Sequence, residues 1–103
     1  MRINKTLDEF TPALWDRLFG AFITANRSHW RGAPHDAVLN LLKTKGRFEF
    51  TVTGMNTWTS KFILIVIDNE LDAEMVPNTE LSAVMQQHLK QMQETFYRHI
   101  QRI

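Results

Sequence analysis

Cysteine is absent from the 103 residues, which excludes disulfides, zinc–thiolate sites, iron–sulfur clusters and thiol nucleophiles. The absence is compatible with a reducing compartment, and the chain is read as cytoplasmic. Glycine and proline are scarce, at four and three residues. No linker rich in them divides the sequence, and its length fits one domain. Long hydrophobic runs are missing too. The longest wholly apolar stretch, Phe62 to Ile67, has six residues, whereas a membrane helix needs about 20. Met1 to Glu9 has no apolar segment of the kind that marks a signal peptide. An excess of one charge is lacking as well: the formal net charge is +1, which argues against a protein that works by general attraction to phosphate. The charge is unevenly placed, however. Residues 1–47 carry a balance of +4 and residues 48–103 one of −3, so the chain can present one basic and one acidic surface.

What is present is ordinary for a folded chain, with 44% hydrophobic and 22% charged residues. Thr11-Pro12 is a helix start, with Phe10 and Trp15 at the two positions of a hydrophobic staple. Leu14, Trp15, Leu18, Phe19, Phe22 and Ile23 recur at three and four, predicting a helix over 12–26. A second helix starts near Pro34, buries Val38, Leu39, Leu41 and Leu42, and stops at Gly46. The period then changes to two. Phe48, Phe50 and Val52 alternate with polar residues as in a half-buried strand. The run Phe62 to Ile67 is apolar on both faces and predicts a central strand covered on both sides. After a turn at Asp68-Asn69, Leu71, Ala73 and Met75 suggest a third strand at the sheet edge, with a short helix as the alternative. A long helix over 79–102 closes the chain, with Leu81, Val84, Met85, Leu89, Met92, Phe96, Ile100 and Ile103 in one stripe. The fold class is therefore α+β: two N-terminal helices, a three-stranded antiparallel meander and a long amphipathic C-terminal helix. Met1 to Asn4 is a candidate for one additional short strand.

Candidate chemistry is sparse. The histidines, at 29, 35, 88 and 99, have no metal-ligand spacing, so neither a metal nor a cofactor is expected. His35 beside Asp36 is read as a helix-terminal pair without a catalytic role, because neighbouring side chains on a helix diverge by about 100°. The acidic series Asp68, Glu70, Asp72, Glu74 lacks the glycine and the terminal bidentate Glu of a calcium loop, and reads as a negative strip along a sheet edge. Asn26 to Gly32 places an aromatic among cations: Arg27, His29, Trp30 and Arg31 are residue types of binding hot spots. Either Trp30 covers the helix ends or it anchors a partner. Trp58 either shares a buried strand face with Phe62, Leu64 and Val66 or marks a loop tip poised for a partner. Lys43, Lys45 and Arg47 form a second basic cluster able to touch nucleic acid. His88, Met92, Phe96, His99 and Ile100 form a candidate interface on the last helix, which at about 36 Å is longer than a three-stranded sheet is wide.

These features favour a non-enzymatic module that binds a larger protein stoichiometrically as inhibitor, adaptor or accessory regulator, and homodimerisation is a further expectation. Nucleic-acid binding through Arg27, Trp30, Arg31, Lys43, Lys45 and Arg47 is the second reading. The element order also resembles that of ribosome-dependent messenger-RNA-cleaving toxins. That resemblance implies a ribonuclease with basic residues on and just beyond its later strands, whereas residues 62–89 here contain no Lys or Arg.

Overall fold

The computed structural model describes residues 1–26, 33–53, 59–77 and 83–103. Thr11 starts the first helix as its chemistry predicts. Its Oγ1 accepts the Leu14 N–H at 3.1 Å, and Phe10 packs on Trp15 with ring centroids 6.0 Å apart. This helix, α1, spans Pro12–Asn26 and α2 spans His35–Lys45. Gly46 ends α2 in the left-handed region, at φ 69°, and its N–H closes on the Leu42 carbonyl. An L side chain at that φ would be strained.

Four strands follow from the period-two segments: β1 Arg2–Thr6, β2 Arg47–Thr53, β3 Thr59–Ile67 and β4 Glu70–Pro77. A final helix, α3, spans Ala83–Ile100. Asp68 and Asn69, both at positive φ (52° and 67°), make the tight β3–β4 turn. All neighbouring strands are antiparallel, in the order β1-β4-β3-β2. The meander β2-β3-β4 is therefore as expected, and the candidate strand at Met1 to Asn4 is realised as β1, so among the described residues the sheet has four strands, not three. The segment 70–77 is a strand and not a short helix, and it lies inside the sheet because β1 pairs with its outer side. Glu70, Asp72 and Glu74 consequently run over the sheet's face and not along its rim, and Asp68 lies in the β3–β4 turn.

The core lies on one side of the sheet. Phe48, Phe62, Leu64, Leu71, Ala73 and Met75 meet Leu14, Trp15, Leu18 and Phe22 of α1, Val38 and Leu42 of α2, and Leu89, Met92, Phe96 and Ile100 of α3. Along β3, burial alternates down to Leu64. The expected cover on both sides is thus not found. No described helix lies over Ile63, Ile65 and Ile67, and none of the three packs against the core cluster.

Ser60, the first buried residue of β3, is a polar exception. It is 1% exposed, and among the described residues its Oγ has no hydrogen-bond partner. A buried hydroxyl without a partner costs about 1 to 3 kcal/mol. Ser60→Ala is therefore expected to raise stability by about 1 kcal/mol in urea unfolding, and an equal loss would show that the hydroxyl is satisfied.

Candidate functional site

The alternation of β3 leaves a row of large aliphatic side chains on the sheet face turned away from the helices. Ile63, Ile65 and Ile67 stand two residues apart on β3, and Val76 lies on the neighbouring strand opposite Lys61. Ile67 and Val76 are each 45% exposed. Charges of both signs border the row. On the β2 side, Arg47 lies opposite Ile65 and Glu49 opposite Ile63. The Arg47 Nη2 donates to Glu49 Oε2 at 2.5 Å, and Lys61 Nζ lies 3.8 Å from Glu49 Oε1. The Arg47 guanidinium holds the exposed Glu49 carboxyl below its ordinary value. On the β4 side, Glu74, Asp72 and Glu70 lie opposite Ile63, Ile65 and Ile67. Arg2 sits 3.7 Å from Glu70, and the Met1 ammonium donates to Asp72 at 3.1 Å and also to Glu74.

Tyr97 of α3 fastens the helix layer to this border. Its hydroxyl donates to Glu74 Oε2 and accepts the Met75 N–H at 3.4 Å. Gln93 Nε2 donates to the Met75 carbonyl at 2.7 Å. Burial, reinforced by the bond to the Glu74 carboxylate, pushes the Tyr97 phenol up to about 12. Burial pushes the Glu74 carboxyl up as well, but hydrogen bonds from the Met1 ammonium and Tyr97 outweigh it and leave the pKa lowered. The pH consequences follow from those directions. A phenol with a raised folded pKa contributes stability that is whole below its ordinary value of 10 and is lost as pH climbs toward about 12. Glu74, with its pKa depressed, contributes above its ordinary value of 4.5 and ceases to do so as pH falls through its folded value. Tyr97→Phe should cost about 1 to 2 kcal/mol at neutral pH and should flatten the alkaline decline in stability measured by chemical denaturation. An unchanged alkaline limb would place its cause elsewhere.

The sequence-predicted residues divide into three groups. Arg27, His29, Trp30, Arg31 and Trp58 lie outside the described residues. Of the second basic cluster, Lys43 and Lys45 are exposed in the last turn of α2. Side chains two apart on a helix diverge by about 200°, and Arg47 is engaged by Glu49, so the three do not form one phosphate-binding patch. The candidate interface on α3 is corrected at its centre: Met92, Phe96 and Ile100 are buried in the protomer's own core. They pack on the sheet and on α1, which leaves them no apolar surface to share. Val84, expected in the same stripe, is 79% exposed. His88 is exposed, and His99, about 16 Å further along the helix, lines a cleft of about 320 Å³ with Arg17, Thr24 and Arg102. The two histidines are thus not a pair.

Residues with acid–base potential are tied into structure. His35 stacks on Phe10 at 5.0 Å. Its Nε2 meets the Phe10 carbonyl at 2.7 Å, and since a carbonyl only accepts, that nitrogen carries the proton. The bond fastens the segment before α1 to the start of α2, as does Trp15 Nε1 donating to the Ala33 carbonyl at 2.9 Å. Glu9, beside a second cleft, accepts the Thr6 N–H at 3.1 Å, and that bond holds its carboxyl below the ordinary value. Among the described residues no cluster of His, Cys, Asp or Glu could hold a metal ion, and no helix is long and apolar enough to cross a membrane. The open aliphatic row was half legible as the two-sided apolarity of 62–67. The Tyr97, Gln93 and Glu74 ties were not, although Gln93 and Tyr97 stand one turn apart beside the buried Phe96. No family model, curated protein or solved structure matches the chain.

Proposed function

We propose that the protein is a non-enzymatic binding module that acts stoichiometrically on a larger protein partner, as inhibitor, adaptor or accessory regulator, through the open face of its sheet. The observation that carries this reading is the row Ile63, Ile65, Ile67 and Val76, which stands outside the core and is bordered by charges of both signs. An apolar centre inside a polar rim is the anatomy of protein interfaces. A rigid sheet also loses little conformational freedom on binding, which favours a preformed surface over a folding one. The chemistry specifies a partner ridge of aliphatic or aromatic side chains flanked by polar groups.

Affinity capture from the native host, comparing wild type with Ile65→Lys, tests the reading. One protein recovered in equimolar amount by the wild type and lost with the variant supports it. Recovery of the same protein by both would move the site elsewhere. Recovery of nucleic acid that is lost with Lys43→Ala and Lys45→Ala would favour the second reading.

A further inference from the structure

The two edges of the sheet are treated differently by the rest of the chain. The Val66 N–H donates to the Gly46 carbonyl at 2.9 Å, and the β2–β3 register puts those two residues opposite one another. Main-chain polarity alternates along an antiparallel ladder. Phe48, Phe50 and Val52 therefore turn their N–H and C=O groups toward β3, while Arg47, Glu49 and Thr51 turn theirs outward. By the same alternation, Leu71, Ala73 and Met75 carry the outward groups of β4.

On β4 these outward groups are engaged. Ala73 exchanges bonds with Met1, with its N–H donating at 2.9 Å and its carbonyl accepting the Met1 ammonium at 3.0 Å. Met75 is met by Tyr97 and Gln93, and Pro77 has no N–H to offer. The strand beyond, β1, is five residues long and its pairing shifts register. Asn4 at φ 55° interrupts it, and Arg2 adds a charge. Those are the devices by which native sheets block pairing at an edge. β2 has neither a register shift nor a positive-φ residue, and its two charges, Arg47 and Glu49, pair with each other. It keeps continuous register with β3 over seven residues, Arg47 to Thr53. Among the described residues, no group accepts from or donates to the outward main chain of Arg47, Glu49 and Thr51.

We infer that β2 pairs with β2 of a second copy, antiparallel and with Phe50 at the twofold axis, joining two four-stranded sheets into one of eight strands. Charge favours this occupant, and strand length sets this register: Phe50 is the middle residue of Arg47–Thr53, so this register alone pairs all seven residues. Arg47 and Glu49 neutralise each other on the strand, so the edge offers a strongly basic or acidic peptide no net attraction and does not repel a copy of itself. With Phe50 opposite Phe50 of the partner subunit, Glu49 faces Thr51 of the partner subunit and Arg47 faces Thr53 of the partner subunit, all on outward rungs able to exchange hydrogen bonds. Moving the axis to Glu49 would set it against Glu49 of the partner subunit and oppose like charges, and moving the axis in either direction leaves end residues of the strand unpaired. This edge is separate from the open face, so pairing here leaves the row around Ile65 uncovered.

The test is sedimentation of the full chain from micromolar to millimolar concentration, for wild type, Thr51→Glu and Thr51→Lys, with circular dichroism to verify folding. In this register residue 51 faces Glu49 twice across the axis. Thr51→Glu should therefore weaken the dimer about tenfold, and Thr51→Lys should tighten it at low salt. A second measurement, amide hydrogen exchange on the wild type, should show protection of Glu49 and Thr51 rising with protein concentration. A chain that stays monomeric throughout overturns the inference. So does a dimer that responds alike to both substitutions, or whose Glu49 and Thr51 amides exchange freely.

Discussion

Phe62→Ala is expected to lower the free energy of unfolding by about 3 to 5 kcal/mol. Phe62 is fully buried and stands at the centre of an aromatic cluster. Its ring centroid lies 5.2 Å from that of Phe22, 5.3 Å from Phe50, 5.9 Å from Phe96 and 6.0 Å from Trp15. These partners come from α1, β2 and α3, so alanine would open a cavity where three elements meet the central strand. Ring pairs of this kind add about 0.5 to 1.5 kcal/mol each beyond burial, and the rigid surroundings cannot collapse to fill the space. A small domain has about 5 to 15 kcal/mol in total, and the melting temperature should drop by about 15 °C or more. Ile63→Ala, one residue further along the same strand, is the control. It removes atoms from the open face and should cost less than about 1.5 kcal/mol. A loss as large as that at Phe62 would mean that both faces of β3 are buried.

Ile65→Lys is expected to do the reverse, leaving the fold and removing the partner. Residue 65 lies between Arg47 on β2 and Asp72 on β4, so an added ammonium gains one opposite and one like neighbour. The lost strand propensity is worth at most about 1 kcal/mol. Within a packed interface, the same ammonium would be buried without a partner at the centre of an apolar patch. An affinity loss of about a hundredfold or more, near 3 kcal/mol, is expected, with the melting temperature within a few degrees of wild type. Calorimetric titration with the captured partner measures the first quantity and thermal unfolding the second. A variant that unfolds would make Ile65 a core residue, and one that binds normally would remove the face from the site.

Much of the fold was legible because local and global signals agree. Thr11, Pro12 and Phe10 mark the start of α1 through interactions confined to a few residues, and Gly46 marks the end of α2 through its backbone alone. The alternation Phe48, Phe50 needs only a sheet with a buried side. What escaped the sequence depends on partners far along the chain. A strand near Met1 to Asn4 was legible as a candidate, but its position was not: β1 has a single buried apolar residue, Ile3, and owes its place beside β4 to pairing some 70 residues away. Without it, β4 reads as an edge and its carboxylates as edge protection. The apolar run of β3 is ambiguous in principle, since hydropathy records what a side chain avoids and not what covers it. The same reasoning misassigned α3: a stripe of Leu89, Met92, Phe96 and Ile100 looks alike whether it meets its own sheet or another chain, and here α1 and the sheet take it up.

The most direct test places a photoreactive amino acid at position 65 and, separately, at Val84, which is exposed and lies off the sheet. Irradiation in the native host followed by mass spectrometry reads the result. A protein-docking face predicts one adduct from position 65, joining one copy of this chain to one larger protein, with none from position 84. Equal adducts from both positions, adducts with nucleic acid, or no adduct at all from position 65 would contradict it.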